Sequence, residues 1–239
     1  MSRAEFNTYD DCLQSLYQSL AKAGNKQIAD GMARYMKYQF VYFGIKSPVR
    51  KKIFAEYRPS LIRFIQNGFL EPILLQLWEG EERELQYCGL DLLFASKKYW
   101  TAETIHLIER LVISKSWWDT VDTLAGKNGG LCFLKFPENK SKIVATWIKS
   151  PNMWLNRSAI IHQLNYKEKT NVPLLISCIK PHIHAKEFFL RKAIGWALRQ
   201  YSRTDPNEVI KIVEDLQLTG LSKREALRLC ESKNKIVWK

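Results

Sequence analysis

Apolar residues recur at helical spacing along almost the whole chain. In residues 4–21, for example, Leu13, Leu16 and Leu20 fall three or four positions apart, which places them on one face of an α-helix. The same pattern predicts further helices over 26–39, from Ser47-Pro48 onward, and over 60–67, 71–79, 82–97, 101–113, 116–126, 129–135, 138–149, 152–167, 172–180, 186–202, 207–215 and 222–232. No segment alternates apolar and polar residues as a half-buried strand would. We therefore predict an all-α fold.

Some of the predicted helices resemble one another. The stretch LNRSAIIHQLNY, which begins at Leu155, aligns with LRKAIGWALRQY, which begins at Leu190, 35 residues later. The stretch LQYCGLDLLF, from Leu85, lies 70 residues before the first of these. A period near 35 with two helices per unit is typical of an α-solenoid of HEAT-like repeats, although chance similarity between amphipathic helices is the alternative. Because the loops are short and no flexible linker interrupts them, we predict one domain over residues 1–239.

The stretch from Ser116 to Asp122 is the most distinctive in the sequence. We predict a helix with Ser116 as its N-cap. Trp117 and Val121 are four positions apart and are expected in the core, whereas Trp118 and Asp122 share a different face of the same helix. A large aromatic ring beside a carboxylate, off the core face, is either an accident of the surface or a functional site.

Two later helices carry further candidate residues. Arg157 falls within the apolar stripe of helix 152–167, where a charge is costly unless it is paired. It is therefore either one half of a buried structural ion pair or an arginine directed at a phosphate or at Asp122. Trp196 lies at the edge of an apolar stripe, beside Lys192 and Arg199. That arrangement suits either an edge-of-core aromatic or a nucleic-acid groove with a stacking ring and phosphate contacts.

The net charge narrows the class of partner. A formal net charge of +13 favours a polyanion, most often nucleic acid, over a basic protein without such a partner or an anionic membrane surface. No apolar run approaches the roughly 20 residues of a membrane span, and residues 1–10 contain no apolar signal region.

The cysteines and histidines predict no metal site. Five cysteines are scattered along the chain without a C-x-x-C spacing, as expected for reduced core thiols of a cytosolic protein. The four histidines do not cluster with them, and the close pair His182 and His184 is a weak signal by itself. We predict that the protein needs neither a metal ion nor a cofactor.

Several motifs occur together in a specific order. They are Met32 to Lys37 (MARYMK), Phe43-Gly44-Ile45 before Pro48, Lys115-Ser116-Trp117-Trp118-Asp119-x-Val121-Asp122, Trp154-Leu155-x-Arg157, Lys186 to Trp196 (KEFFLRKAIGW) and Leu221 to Ala226 (LSKREA). In this order and separation the chain resembles the bacterial AlkD family of alkylpurine DNA glycosylases, which are built from HEAT-like repeats. The resemblance extends over almost the whole chain and is weakest in the first 25 residues and after Lys233.

The resemblance implies a function and roles for single residues. It implies a C-shaped solenoid with a basic concave face that removes N3- and N7-alkylated purines from duplex DNA. Asp122 would be the catalytic carboxylate, Trp118 and Trp196 the lesion-side rings, and Arg157 a clamp on the DNA backbone. We expect further DNA contacts from Arg199, Lys192, Tyr35 and Lys46. We also expect a monofunctional hydrolase, a monomer, located in the bacterial cytoplasm with the nucleoid.

Two other functions remain compatible with the sequence. A catalytically silent HEAT-repeat protein that binds DNA would have the same basic charge. A protein-interaction scaffold would instead place apolar or acidic residues on the concave surface. The presence of all four residues, Trp118, Asp122, Arg157 and Trp196, favours the enzyme over both.

Overall fold

The computed structural model describes the backbone of residues 6–234 and the side chains of residues 6–230. In this part of the chain all regular elements are helical, apart from one isolated parallel bridge between Val41 and Glu82. The predicted all-α solenoid class is therefore confirmed. The chain forms two compact units, one up to Thr101 and one from Ala102 onward. The single domain, the C shape and the basic concave face stay predictions.

The first unit is built around helix α3. Its helices are α1 (Tyr9–Ala23), α2 (Lys26–Tyr35), α3 (Ser47–Gln66), α4 (Leu70–Glu79) and α5 (Arg83–Ala95), followed by a 3₁₀ turn (Lys97–Tyr99). Helix α3 packs against α1, α4 and α5. The side chains of Thr8 and Asn25 accept hydrogen bonds from the first turns of α1 and α2, so both helices begin at capped positions.

Two sequence predictions in this unit are wrong. The helix predicted over 26–39 ends at Tyr35, because Lys37 and Tyr38 have left-handed backbone. The second concerns α3. The chain was expected to form one helix from Ser47-Pro48 and a second over 60–67, but α3 runs without interruption through Pro59. Proline removes one backbone donor and disfavours a helix interior. Here Leu61 and Ile65 are buried on the same helix as Phe54, and this shared core face outweighs the local penalty.

The second unit contains a row of packed helices. Its helices are α6 (Thr104–Ile113), α7 (Trp118–Thr123), a π-helical segment (Leu124–Gly129), α8 (Gly130–Lys135), α9 (Lys140–Lys149), α10 (Met153–Ile161), α11 (Val172–Ile179), α12 (Phe188–Tyr201), α13 (Pro206–Asp215) and α14 (Gly220–Asn234), with 3₁₀ turns at Lys167–Lys169 and Lys180–His182. Helix α10 packs on α12 and α12 packs on α14, while α9, α11 and α13 lie against that row. Residues one repeat apart in sequence can therefore meet on neighbouring helices.

The ends of two helices differ from the prediction. Helix α10 ends at Ile161 rather than near residue 167. Helix α14 begins at Gly220, and Ser222 does not form the predicted capping box with Glu225, because its hydroxyl donates to the backbone oxygen of Arg191 at 3.2 Å. Both serine and glutamate are used for contacts between helices instead.

The thiols are buried in the core. All five cysteines are free and buried, and burial raises the pKa of Cys88 and of Cys132 to about 11.

Across residues 6–234, no helix is both long enough and apolar enough to cross a membrane.

His162 is a fully buried core residue of the second unit. Its Nδ1 lies 2.7 Å from the backbone oxygen of Ala159, and its ring packs edge-on against Phe133 and Tyr166. Burial lowers the pKa of His162 to about 4, because the apolar surroundings disfavour the charged ring.

Acid should therefore destabilise the fold through His162. Because the folded pKa lies below the ordinary value of 6.5, the unfolded chain binds the extra proton between these values. The contribution of the neutral His162 ring to the free energy of unfolding is complete above pH 6.5. It is lost as the pH falls toward 4, at up to about 1.4 kcal/mol per pH unit. Denaturant unfolding of wild type and His162→Phe across this range should give a shallower pH dependence for the variant. Equal slopes for wild type and His162→Phe would contradict the assignment.

Candidate active site

Helix α7 presents Trp118 and Asp122 one turn apart. The helix begins at Trp118, not after Ser116 as predicted, because the Ser116 hydroxyl donates to the backbone oxygen of Val112 at 2.6 Å instead of capping α7. Trp117 takes the cap position with extended backbone. Val121 is fully buried and fixes the inner face of α7, so Asp122 emerges at the edge of the core.

The carboxylate of Asp122 is bound on both oxygens by Arg157. Nε of Arg157 donates to Oδ1 at 2.7 Å and Nη2 donates to Oδ2 at 2.8 Å, which is the planar two-bond geometry of a strong ion pair. The two residues are 35 positions apart, the spacing of the sequence repeat. The Arg157 side chain is only 5% exposed, and the Asp122 side chain is 19% exposed.

Arg157 uses three of its five N–H groups within the protein. Its Nη1 donates to the backbone oxygen of Phe189 at the start of α12, so all three nitrogens donate to protein atoms. Of the two targets considered for Arg157, the structure places it against Asp122. The contact with the DNA backbone stays a prediction.

Burial and pairing act on Asp122 in opposite directions. Burial raises the pKa of the Asp122 carboxyl above its ordinary value, while the hydrogen bonds and charge of Arg157 lower it, and the nearby Asp119 adds to the rise. The net effect is a raised pKa of the Asp122 carboxyl, because most of the side chain is removed from water. Arg157 stabilises the ionised form of this largely buried carboxylate.

Trp196 lies beside this ion pair. The Cζ atom of Arg157 is 6.0 Å from the centre of the Trp196 ring, within the range of a cation–π contact. The ring is half-buried on α12. The structure therefore brings together Asp122, Arg157 and Trp196 from α7, α10 and α12, and Trp118 lies one turn before Asp122 on α7.

Sequence reasoning missed an aromatic cluster next to the site. The rings of Trp117, Trp154 and Phe189 lie 5.0–5.8 Å apart, and Phe188 contacts Phe189 at 5.5 Å. Trp117 was expected simply in the core, but it is half-buried in this cluster. The signal was present in the sequence, because Trp154 precedes Arg157 by three positions and Phe189 immediately follows another phenylalanine.

Glu225 is a second residue that the sequence did not reveal. Its carboxylate binds Lys192 at 3.0 Å and also binds Arg199, so both cations predicted to contact DNA are paired. The hydrogen bonds and charge of Lys192, with Arg199, hold the pKa of the Glu225 carboxyl below its usual range. The glycine at position 195 was the sequence signal for a close contact between helices. In the structure, a Cβ added at Gly195 would collide with Glu225. The glycine thus allows α12 and α14 to approach closely.

Two predicted DNA contacts lie in the first unit. Tyr35 is the last residue of α2 and its side chain is largely exposed, and Lys46 is exposed immediately before α3. The contacts of Tyr35 and Lys46 with DNA stay predictions.

Among residues 6–230, no three His, Cys, Asp or Glu side chains are grouped so as to hold a metal ion.

Comparison with known proteins identifies the family. The model of the DNA alkylation repair enzyme family matches residues 16–230. The chain belongs to the DNA alkylation repair enzyme family. Among solved structures, the "Predicted DNA alkylation repair enzyme from Enterococcus faecalis" is 33% identical, with a TM-score of 0.80, over 85% of this chain and 95% of the other. No curated protein sequence matches the chain.

The family assignment confirms the resemblance seen in the motifs. The matched range contains every candidate site residue, from Tyr35 in the first unit to Arg199 in the second, and also Glu225. Membership in a DNA alkylation repair family implies DNA as the substrate of the protein.

The Asp122–Arg157 pair should show strong energetic coupling. Arg157→Met should lower the free energy of unfolding by about 3–5 kcal/mol, because it leaves a largely buried carboxylate without its partner. Asp122→Asn should also destabilise the protein, and the double variant should be less damaging than the sum of the two by roughly 1–3 kcal/mol. Denaturant unfolding of the four proteins measures this cycle, and additive effects would show that the pair contributes no coupling.

Proposed function

We propose that this protein is a DNA glycosylase that hydrolyses the N-glycosidic bond of N3- and N7-alkylated purines in duplex DNA. The observation that carries the proposal is the Asp122 carboxylate, held on both oxygens by Arg157 beside the ring of Trp196. Membership in the DNA alkylation repair enzyme family supports the substrate class.

The chemistry of the substrate suits a site with a carboxylate and aromatic rings. Alkylation at N3 or N7 gives the purine a formal positive charge, so the base is already a good leaving group and needs little help from a general acid. When the glycosidic bond breaks, its electron pair moves to the purine and neutralises that charge. The positive charge that develops on the sugar is then the feature that a catalyst must stabilise.

Asp122 acts in this scheme mainly through its charge. Each of its oxygens accepts one hydrogen bond from Arg157 and keeps a second lone pair. An oriented carboxylate near C1′ stabilises the oxocarbenium ion and orients the water that attacks it. Arg157 is the positioning residue, because it fixes the direction of the carboxylate and favours its ionised form.

Hydrolysis requires only water as the second reactant. The water oxygen forms a bond to C1′ and its proton leaves to solvent past Asp122, so the products are a free purine and an abasic sugar. Lys192, on the same helix as Trp196, is paired with Glu225 and is a poor candidate for an amine nucleophile. This supports a monofunctional hydrolase rather than a lyase.

Trp118 and Trp196 supply the selectivity for the lesion in this proposal. Aromatic faces attract cations, by roughly 0.5–2 kcal/mol per contact depending on desolvation. A cationic purine and a cationic sugar would both gain from such rings, whereas a neutral normal base would not. The positions of Trp196 beside Arg157 and of Trp118 one turn before Asp122 support this role.

The overall charge of +13 supports duplex DNA as the partner. The proposal includes a monomer that works in the cytoplasm on nucleoid DNA and uses neither metal nor cofactor. A catalytically silent DNA-binding protein is the second candidate. The burial of the Arg157 side chain favours it, since a buried ion pair can serve stability alone. Release of free alkylpurine from methylated duplex DNA by the purified protein separates the two.

Asp122→Asn should separate catalysis from binding. The variant keeps the size of the side chain but removes its charge, so single-turnover excision of 7-methylguanine should slow by about 10²–10³-fold. Duplex binding should be unchanged or slightly tighter, because an anion near DNA has been removed. Excision and binding are measured well below the melting temperature of each variant, since Asp122→Asn also weakens the pair with Arg157.

A neighbouring carboxylate provides the control for this experiment. Asp119→Asn removes a charge from the first turn of the same helix and should excise at close to the wild-type rate. If Asp122→Asn melts earlier but cuts at the wild-type rate while folded, Asp122 is a structural residue and the catalytic assignment fails.

Glu225→Gln should tighten DNA binding. The wild-type protein is expected to neutralise about 6 phosphates, which gives a slope near −5 for log K against log[salt]. Removing the Glu225 charge releases Lys192 and Arg199 for phosphates, so the slope should steepen by between one and two. The measurement is a salt titration of duplex binding by both proteins. An unchanged slope would mean that these two cations do not face DNA.

A further inference from the structure

Helices α2, α3 and α13 end in the same hydrogen-bond pattern. In each, the third residue beyond the last helical residue donates its N–H to a carbonyl five positions back, and the preceding residue donates to a carbonyl three positions back. The bonds are Tyr38 to Ala33 and Lys37 to Arg34, Phe69 to Phe64 and Gly68 to Ile65, and Leu218 to Val213 and Gln217 to Glu214. This is the Schellman motif, in which the final residue usually makes an apolar contact back onto its helix.

The final residue of α2 differs from the other two. Leu218, after α13, is 3% exposed, and Phe69, after α3, is 41% exposed but packs on Tyr9 of α1 with ring centroids 5.4 Å apart. Tyr38, in contrast, is 70% exposed. Within residues 6–230 its side chain has no hydrogen bond, ion pair or ring contact. The protein therefore gains little packing from this ring.

The backbone at Tyr38 is also unfavourable for its residue types. Lys37 and Tyr38 both have left-handed backbone, with φ of 55° and 56°, and Gln39 closes the turn by donating to Met36 at 3.2 Å. A turn with two left-handed central residues strongly favours glycine, asparagine or aspartate. At the end of α3 the left-handed position is taken by Gly68. The backbone hydrogen bonds of the turn are made, but within residues 6–230 neither the Lys37 nor the Tyr38 side chain has a hydrogen bond, ion pair or ring contact, which suggests selection for something other than folding.

The turn is fixed on a rigid base. Met36 is buried before it, and the guanidinium of Arg83 lies 3.7 Å from the centre of the Phe40 ring after it. The buried carboxylate of Glu84 then accepts the N–H groups of residues 43–45. A partner that binds Tyr38 would not have to order this backbone, which lowers the entropic cost of binding.

The sequence on either side of the turn is basic and favours an anionic partner. Between Asp30 and Glu56 the sequence has no acidic residue. The same stretch contains five exposed cations, Arg34, Lys37, Lys46, Lys51 and Lys52. An exposed aromatic ring next to cations suits a nucleic-acid backbone, with the ring packed on sugar or base and the cations on phosphates.

We propose that Lys37 and Tyr38 form a contact with the backbone of duplex DNA, in which the Tyr38 ring packs on a deoxyribose and Lys37 binds the neighbouring phosphate. The unfavourable left-handed turn is kept because it presents these two side chains outward. The inference rests on the proposed function for its partner, but it concerns affinity and not the chemical step.

Tyr38→Gly tests the proposal by separating stability from binding. Glycine suits the left-handed position, so the melting temperature should stay the same or rise. Affinity for an unmodified duplex of about 20 base pairs should nevertheless fall about five- to tenfold, because the ring is lost. Tyr38→Phe keeps the ring and should bind like wild type, and Lys37→Gln should reduce the salt slope by about one.

Gln217→Gly is the matched control. Gln217 also has left-handed backbone, with φ of 49°, in the same motif after α13. The change should relieve the backbone in the same way and leave duplex affinity unchanged. A drop in affinity from Tyr38→Gly alone would support the proposal.

The outcomes separate this proposal from the proposed function. If Tyr38→Gly binds the duplex as tightly as wild type while wild type releases alkylpurine, the DNA contact is wrong and the glycosylase stands. If wild type binds the duplex and Tyr38→Gly weakens it, but no alkylpurine is released, the contact stands and the glycosylase fails. If wild type does not bind the duplex at all, both are overturned.

Discussion

A buried carboxylate is stable only when a cation and hydrogen bonds replace the water it has lost, and this constraint organises the second unit. Asp122 meets it through Arg157, which reaches from α10 to α7 and also binds the backbone at the start of α12. One guanidinium thus joins three helices. The packing of α10 on α12 sets the position of Arg157, and Arg157 in turn sets the direction of the carboxylate. Structure and candidate chemistry therefore depend on the same interaction.

Much of the fold could be predicted from periodicity, because helices in this chain are held by apolar faces that recur at regular spacing. The sequence offered Asp122 as one of the possible targets of Arg157, and the structure selects it, with the two residues separated by the 35 positions of the sequence repeat. Contacts between helices without a sequence pattern could not be predicted. Glu225 had the spacing of a capping residue and instead binds Lys192 and Arg199. The continuous helix through Pro59 was missed because tertiary packing outweighed a local signal.

The basic charge of the chain is not uniformly available to a partner. In the second unit Lys192, Arg199 and Arg157 are each paired with a carboxylate, so a count of cations overstates the attraction for an anion. In the first unit the stretch from Arg34 to Lys52 contains no carboxylate of its own, although Arg50 within it is paired with Asp91. The location of the carboxylates, more than the total charge, determines where a polyanion can bind.

The π-helical segment between α7 and α8 has a consequence for how the site can vary. Residues 118–135 form one continuous helical rod, and Leu124–Gly129 is wound more widely than the segments on either side. If this rod were a regular α-helix throughout, the orientation of the buried face of α7 would fix the orientation of the buried face of α8. The wider turn decouples them, so that Cys132 and Phe133 can face the core while Asp122 keeps its own direction. Lengthening or shortening this segment by one residue would rotate the carboxylate away from Arg157 without altering a single residue of either partner.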